Sequence, residues 1–173
     1  MMKEAMEQVS GEFSDTLFIS IAAGTPISFF EAELSPDAKI VRVMPNTPAL
    51  LKKGVSALFA NAAAQGAPLE QAGALMGAVG GVEYLETEEQ MHAVTALSGS
   101  GPAYVFAFVE ALVAAGTEAG LEKDLAFRLA RDTLVGAAAM VGDDADGVAS
   151  LRENVTSPGG TTAAGLKVFQ ESD

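Results

Sequence analysis

Short apolar runs alternate with segments of helical spacing along the first half of the chain. Runs rich in β-branched and aromatic residues predict four strands, at 16–22, 39–44, 55–60 and 82–85. Apolar residues at helical spacing predict helices at 1–9, 27–34 and 68–79. Strands separated by helices of this length are typical of βαβ units, so this half predicts a largely parallel sheet.

The second half predicts helices throughout. Thr87 and Gln90 match a capping box, with a hydroxyl at the N-cap and an amide side chain three residues later. After a long apolar helix, further helices are predicted at 122–141 and near 148–154, separated by the acidic, glycine-containing break at 143–147.

The predicted helix at 102–120 has far more apolar than polar residues. Its polar residues are Glu110, Thr117 and Glu118, and apolar side chains cover nearly all the rest of its circumference. A helix that is apolar on most sides must be buried on most sides. We expect a partner subunit to cover it, and the alternative is a central helix in a monomeric bundle.

The change of pattern near Glu86 predicts two domains, 1–86 and 87–173. The first is expected to be α/β and the second all-α. A doubly wound dinucleotide-binding sheet usually begins with a strand, a glycine-rich turn and a helix, and this sequence does not begin that way. We therefore expect the first domain to be the later part of such a sheet.

Charge and composition narrow the class of partner. Ten basic against 23 acidic residues give a net charge of −13, which disfavours a nucleic-acid partner because phosphate binding needs concentrated positive charge. The chain has no cysteine, so disulfide and thiolate chemistry are excluded. The apolar stretch 96–116 contains Glu110 and a Gly/Ser/Pro cluster, which disfavours a membrane span. We expect a soluble, cytoplasmic protein.

The segment 154–162 (NVTSPGGTT) is the strongest candidate for chemistry. Ser157 is suited to cap a helix whose first residue is Pro158. The backbone N–H groups of Gly159, Gly160 and Thr161 would then point out of the helix start, where an anion such as a carboxylate is favoured. The alternative is a capped helix after a turn, without a ligand.

The other motifs do not predict a phosphate-binding, metal or triad site. The stretch 98–104 fails as a dinucleotide fingerprint because its third glycine position is Tyr104, and it more closely fits a tight break between helices. The stretch 77–81 fails as a phosphate loop. The single histidine, His92, leaves little basis for a metal site or a catalytic triad. Since no acidic pair stands out as general acid and base, we expect a cofactor to carry the difficult step.

Four segments together resemble the pyrroline-5-carboxylate reductases. They are SIAAG at 20–24, VMPNTPALL at 43–51, VTALSGSGPAYVF at 94–106 and NVTSPGGTTAAGLKVF at 154–169. The resemblance implies a Rossmann-like domain followed by a helical domain that intertwines with a second subunit, as a homodimer or higher homo-oligomer. It implies reduction of 1-pyrroline-5-carboxylate to proline by hydride transfer from NADPH or NADH.

The resemblance also implies site residues. The substrate carboxylate would lie near Ser157, Gly159, Gly160 and Thr161, with the Thr162 hydroxyl near the ring nitrogen as the catalytic group. The residues implied on the nicotinamide side and near the ring pocket are Ala22, Ala23, Gly24, Asn46, Thr47, Pro48, Pro102, Asn154 and Val155.

Two departures from the family pattern leave alternatives open. The family's opening strand and G-x-G-x-x-G turn are missing, and the family continues beyond Asp173 with more helix. A chain with these boundaries is expected to bind cofactor poorly. One alternative is a non-catalytic dimerisation fragment of such an enzyme. Another is a hydroxy-acid reductase, which would need a lysine motif that Lys123 and Lys167 do not provide.

Overall fold

The computed structural model describes residues 15–143 and 147–171, together with Glu4, Met6 and Val9. Most of the predicted helix 1–9 and of the predicted break at 143–147 lies outside the described residues. The chain divides into two compact units, Met1–Phe106 and Ala107–Asp173. The division falls within a helix, and the predicted domain boundary after Glu86 stays a prediction.

The first unit is built on a sheet of four strands in the order β1-β2-β3-β4. The strands are β1 (Leu17–Ser20), β2 (Lys39–Pro45), β3 (Gly54–Ala60) and β4 (Gly80–Tyr84). All four predicted strands are therefore confirmed. The pairs β1–β2 and β3–β4 are parallel, as predicted, whereas β2–β3 is antiparallel.

The length of the connection explains the antiparallel pair. Residues 46–53 link β2 to β3, and they form only a short 3₁₀ helix, Thr47–Leu51. A parallel pairing needs a crossover of about a dozen residues or more, usually with a helix. The prediction of a largely parallel sheet thus holds for two of the three strand pairs, and the central pair is the exception.

Helices cover both faces of this sheet. Val41, Val43 and Leu58 pack on one face, with α2 (Ala67–Gly77) over them through Ala72. Ile40 faces the other side, where it packs with Ile27 and Phe30 of α1 (Ile27–Glu33). The alternation along β2 follows from the two-residue period of a strand. Arg42 shares the α1 side with Ile40.

The first unit ends in a nearly continuous helical run. It comprises α3 (Gln90–Val94), a π-helical turn Thr95–Gly99, and the start of α4 (Gly101–Glu118). The Gln90 Oε1 atom accepts the backbone N–H groups of Glu86 and Thr87, at 2.9 and 3.1 Å. This is the return half of the predicted capping box.

The second unit contains the rest of α4, then α5 (Lys123–Asp143), α6 (Val148–Asn154) and α7 (Thr161–Glu171). The predicted helices are confirmed over the described residues. Large apolar side chains along α4 remain exposed within the single chain, including Phe108 (43%) and Leu112 (37%). By length and composition alone, the run Gln90–Glu118 is apolar enough to cross a membrane.

Candidate functional site

Two loops leave the sheet at the same edge. Because β1 and β2 are parallel, their carboxyl ends lie side by side, with Ser20 in register with Arg42. The segment after β1 contains Ala22, Ala23 and Gly24, and the segment after β2 begins with Asn46. Ligands of open α/β sheets bind at such carboxyl ends. The structure therefore brings the first two groups of predicted cofactor residues to one edge.

A cavity of about 330 Å³ opens at this edge beside the helical run. Its lining includes three of the predicted residues, Asn46, Pro48 and Pro102. The other lining residues were not among the predicted site residues; they are Leu97, Ser98, Gly101, Val105 and Phe106. In the sequence, the small-residue motif at 98–102 is the feature that could have indicated these lining residues. Ala22 lines a different, apolar cavity together with Phe18 and Ile40, and Thr47 is exposed.

Asn46 joins three segments around the cavity. Its Oδ1 atom accepts the backbone N–H of Val55 at 2.9 Å, at the start of β3. Its Nδ2 atom donates to the carbonyl oxygen of Ser98 at 3.2 Å, in the π-helical turn. One side chain thus fixes the loop after β2 against both neighbours, so Asn46 shapes the cavity as well as lining it.

The π-helical turn packs closely on β2. A Cβ atom at Gly99 would lie 2.5 Å from the Cε atom of Met44. Within the turn, the Thr95 hydroxyl donates to the Met91 carbonyl at 2.7 Å and the Ser98 hydroxyl donates to the Val94 carbonyl at 3.1 Å. The small glycine at 99 thus allows a close approach within the chain, with Met44 as the neighbour.

An ion pair lies behind the loop that follows β1. The Arg42 Nη1 atom donates to Glu88 Oε1 at 2.8 Å, with side-chain exposures of 8% and 24%. The same oxygen accepts the backbone N–H of Ile27, the first residue of α1, at 2.8 Å. The local sequence pattern does not predict this pair, because Arg42 and Glu88 are far apart in the chain.

In the second unit, the glycine-rich segment forms a turn, and the predicted helix start was wrong. The Gly160 N–H donates to the Ser157 carbonyl at 3.0 Å, and Gly159 has a φ of +71°. Proline at the second position and glycine with positive φ at the third are typical of a type II β-turn. Helix α7 begins at Thr161, so Ser157 does not cap it and Pro158 is not its first residue.

The backbone donors that face outward therefore differ from the predicted ones. The Gly160 N–H is used within the turn, whereas the N–H groups of Thr161 and Thr162 lie in the first turn of α7, which has no internal acceptors for them. Both threonine residues are exposed. Asn154 and Val155, at the end of α6, are exposed as well.

The ionisable side chains whose pKa is shifted lie away from the candidate cavity and from the glycine-rich turn. Within the described part of the chain, no group of three or more His, Asp or Glu side chains is arranged to hold a metal ion. A backbone hydrogen bond and the Thr87 side chain lower the pKa of the Glu89 carboxyl. A hydrogen bond from Arg131 lowers the pKa of Asp132. Neither acid lines the cavity or belongs to the turn.

Comparison with known proteins decides the family. Residues 88–173 match the family model described as pyrroline-5-carboxylate reductase dimerisation. The crystal structure of Plasmodium falciparum pyrroline carboxylate reductase with NADP bound superimposes with a TM-score of 0.89 at 33% identity, over 98% of this chain and 68% of that one. The chain belongs to the pyrroline-5-carboxylate reductase family.

Bacterial members of the pyrroline-5-carboxylate reductase family are also similar. The structure of the Coxiella burnetii reductase has a TM-score of 0.90 at 40% identity, over 98% of this chain and 63% of that one. The Pseudomonas aeruginosa reductase is 49% identical over 156 residues, which are 90% of this chain and 57% of the relative. The chain thus spans less than two thirds of these bacterial relatives. The predicted fold class, a Rossmann-like sheet followed by helices, is confirmed.

Proposed function

We propose that the protein containing this chain reduces 1-pyrroline-5-carboxylate to L-proline, the last step of proline biosynthesis, with NADPH or NADH as cofactor. Membership of the family carries this proposal, since similarity extends over 98% of the chain. The cellular location we propose is the cytoplasm.

The cavity beside Asn46 is the proposed place for the nicotinamide end of the cofactor. Its volume of about 330 Å³ is at the lower limit for ligand pockets, which suits one ring and not a whole dinucleotide. The lining combines apolar walls with the backbone and side chain of Asn46 and Ser98. Ala22, Ala23 and Gly24 would approach from the neighbouring loop, and Thr47 and Pro48 from the loop of Asn46.

The turn at Ser157 and the start of α7 are the proposed place for the substrate carboxylate. Outward N–H groups of Thr161 and Thr162 suit an anion, as helix N-termini generally do. Gly159 leaves room for close approach, because a Cβ atom there would have no atom within 4 Å, whereas a Cβ atom at Gly160 would lie 3.2 Å from the Ser157 carbonyl oxygen. Asn154 and Val155 would border the substrate ring.

The reaction needs one hydride and one proton. When bound, the reduced nicotinamide supplies the hydride to the carbon of the C=N bond, and the electron pair of that bond moves to nitrogen. The nitrogen gains a proton, which completes the amine of proline. We assign to the Thr162 hydroxyl the role of hydrogen-bonding this nitrogen, so that the imine is oriented and its protonation is assisted.

Steady-state kinetics with pyrroline-5-carboxylate and NADPH test this assignment. Thr162→Ala should lower kcat at least about tenfold, with a smaller change in the KM for cofactor, because a lost proton-transfer contact affects the chemical step. Thr161→Ala is the matched control, since it removes a neighbouring hydroxyl and keeps the backbone donor. Unchanged turnover in Thr162→Ala would remove Thr162 from the mechanism, and absence of turnover in the wild type would refute the reaction itself.

A second candidate function is homodimerisation without catalysis. The matched family region is described as a dimerisation region, and the most apolar window of Gln90–Glu118 is unburied within the chain. Contact with a second copy would cover this surface, in line with the apolar character of obligate interfaces. The proposed reductase is also expected to form a homodimer, so the two proposals differ only in whether the dimer is catalytic.

Light scattering and cofactor titration separate the two. We expect a mass of twice the monomer or a higher multiple, and a shift toward monomer in Leu112→Asp, which places a charge on the exposed apolar surface. Thr117→Asp is the control, because it places the same charge on the polar stripe of the helix and not on its apolar surface. A dimer that neither binds NADPH nor turns over substrate would support the non-catalytic candidate. A monomer, or binding to phospholipid vesicles instead of self-association, would contradict both.

A further inference from the structure

The loop between β1 and α1, residues 21–26, makes few strong contacts of its own. Among the described residues its hydrogen bonds include Ala22 N–H to Ser20 Oγ at 3.3 Å and Thr25 N–H to the Ala22 carbonyl at 3.5 Å. Both are longer than the usual value of about 2.9–3.0 Å. Gly24 has a φ of +75°, in open space. The shape of this loop therefore depends on how its two ends are held.

Arg42 holds one end directly. Its backbone is in register with Ser20, the last residue of β1, through the parallel pairing of β1 and β2. Its guanidinium group, on the α1 side of the sheet, donates to Glu88. The carboxylate of Glu88 then accepts the N–H of Ile27 at the far end of the loop. A single chain of contacts thus joins the residue before the loop to the residue after it.

The far end has a particular need for Glu88. Pro26 occupies the N-cap position of α1, and it has no side-chain acceptor for the first N–H groups of the helix. Ile27 is buried, with 4% exposure, so its N–H would otherwise be desolvated. Because Glu88 is charged and hydrogen-bonded to a guanidinium group, its bond to Ile27 belongs to the stronger, charge-assisted class.

We propose that Glu88 is a positioning residue, which with Arg42 holds the Ala22–Gly24 loop in the conformation that receives the nicotinamide cofactor. The part of this proposal that concerns cofactor rests on the proposed function. Glu88 itself precedes α3, so the same carboxylate fixes the loop to the start of the helical run.

Hydrogen–deuterium exchange and cofactor titration test the proposal together on the whole protein. In Glu88→Ala, the amide protons of Ala22, Thr25 and Ile27, which donate hydrogen bonds, should exchange at least about tenfold faster, since local opening no longer breaks a bond to Ile27. The Kd for NADPH should rise about tenfold, because small displacements of a positioning segment are costly to binding geometry. Glu88→Gln keeps an oxygen acceptor and should restore most of the slow exchange.

Two controls separate positioning from other effects. Glu86→Ala removes the same charge two residues away, at an exposed position. Asn61→Ala removes buried hydrogen bonds at the opposite edge of the sheet and lowers stability without touching the loop. Both should leave the exchange of 22–27 and the Kd for NADPH within about twofold of the wild type, an energy difference of no more than RT ln 2, about 0.4 kcal/mol.

Each outcome of these measurements tests one part of the proposal. Unchanged exchange in Glu88→Ala overturns the positioning role, whatever the cofactor does. Faster exchange with an unchanged Kd overturns the link to cofactor binding. If the wild type binds neither NADPH nor NADH, the proposed function fails for this chain, and the exchange comparison still supports or overturns the positioning of the loop.

Discussion

Replacement of Asn61 by alanine should be among the most destabilising changes in the first unit. Asn61 follows β3 and is 8% exposed. Its Oδ1 atom accepts the N–H groups of Ile40 and Ala64, at 3.2 and 3.1 Å. Its Nδ2 atom donates to the Ala38 carbonyl and to Glu31 Oε1, at 2.8 and 2.9 Å. Both donors and both lone pairs of the amide are thus used.

The magnitude follows from what each partner loses. The Ala64 N–H keeps a bond to the Asn61 backbone carbonyl, at 3.1 Å, so it stays satisfied. Ile40 is 0% exposed, and its N–H loses its side-chain acceptor, which is worth about 1–3 kcal/mol. The two bonds donated by Nδ2 add about 1 kcal/mol each. We therefore expect a loss of about 3–5 kcal/mol in the free energy of unfolding.

Urea unfolding followed by tyrosine fluorescence measures this loss. The two tyrosines, Tyr84 and Tyr104, both lie in the first unit, so the signal reports on the sheet. With a slope of about 2 kcal/mol/M, the midpoint should fall by about 1.5–2.5 M. Gln65→Ala is the matched control, since it removes a single part-buried hydrogen bond, from the side-chain amide to the Ala60 carbonyl. A loss no larger than that of Gln65→Ala would refute the reasoning.

Three glycine substitutions test close approaches and turn geometry. Gly99→Ala should lower the thermal midpoint, and Met44→Ala in the same chain should restore part of it, with a coupling above about 0.5 kcal/mol; additive effects would contradict the contact. Gly159→Ala, at a φ of +71°, should cost about 1–2 kcal/mol in chemical denaturation, and equal stability would rule out the positive-φ turn. Gly80→Ala would drive a methyl group into the backbone of Gly54, so soluble expression should fall sharply; a wild-type yield and midpoint would show that the strands separate easily.

The local sequence pattern was sufficient to predict a strand or helix where a single hydrophobic period runs through the whole segment. The run KIVRVM was predicted as 39–44, and β2 spans Lys39–Pro45. Buried strands and long apolar helices carry such a signal because their side chains face consistent environments. The candidate cavity was predicted only in part, because a motif names the residues that resemble a family and not the neighbours that the fold brings beside them.

Pattern was insufficient where two local structures suit the same residues. Ser157-Pro158-Gly159-Gly160 fits both a helix start and a type II turn, and the positive φ available to Gly159 favours the turn. The direction of β3 depended on a connection too short for a crossover. The Arg42–Glu88 pair joins residues 46 positions apart, and no local spacing carries information about such a contact.

The π-helical turn Thr95–Gly99 sets an angular offset between two helices that would otherwise be one. Its wider ring is closed by the Ser100 N–H and the Thr95 carbonyl, at 2.8 Å, and holds one residue more than an α-helical ring. Each α-helical residue advances by about 100° around the axis. With the wider ring kept, deletion of one residue here would rotate Gly101, Pro102 and Val105 by about 100° relative to α3. The side of α4 that borders the cavity is thus determined by a count of residues upstream of it.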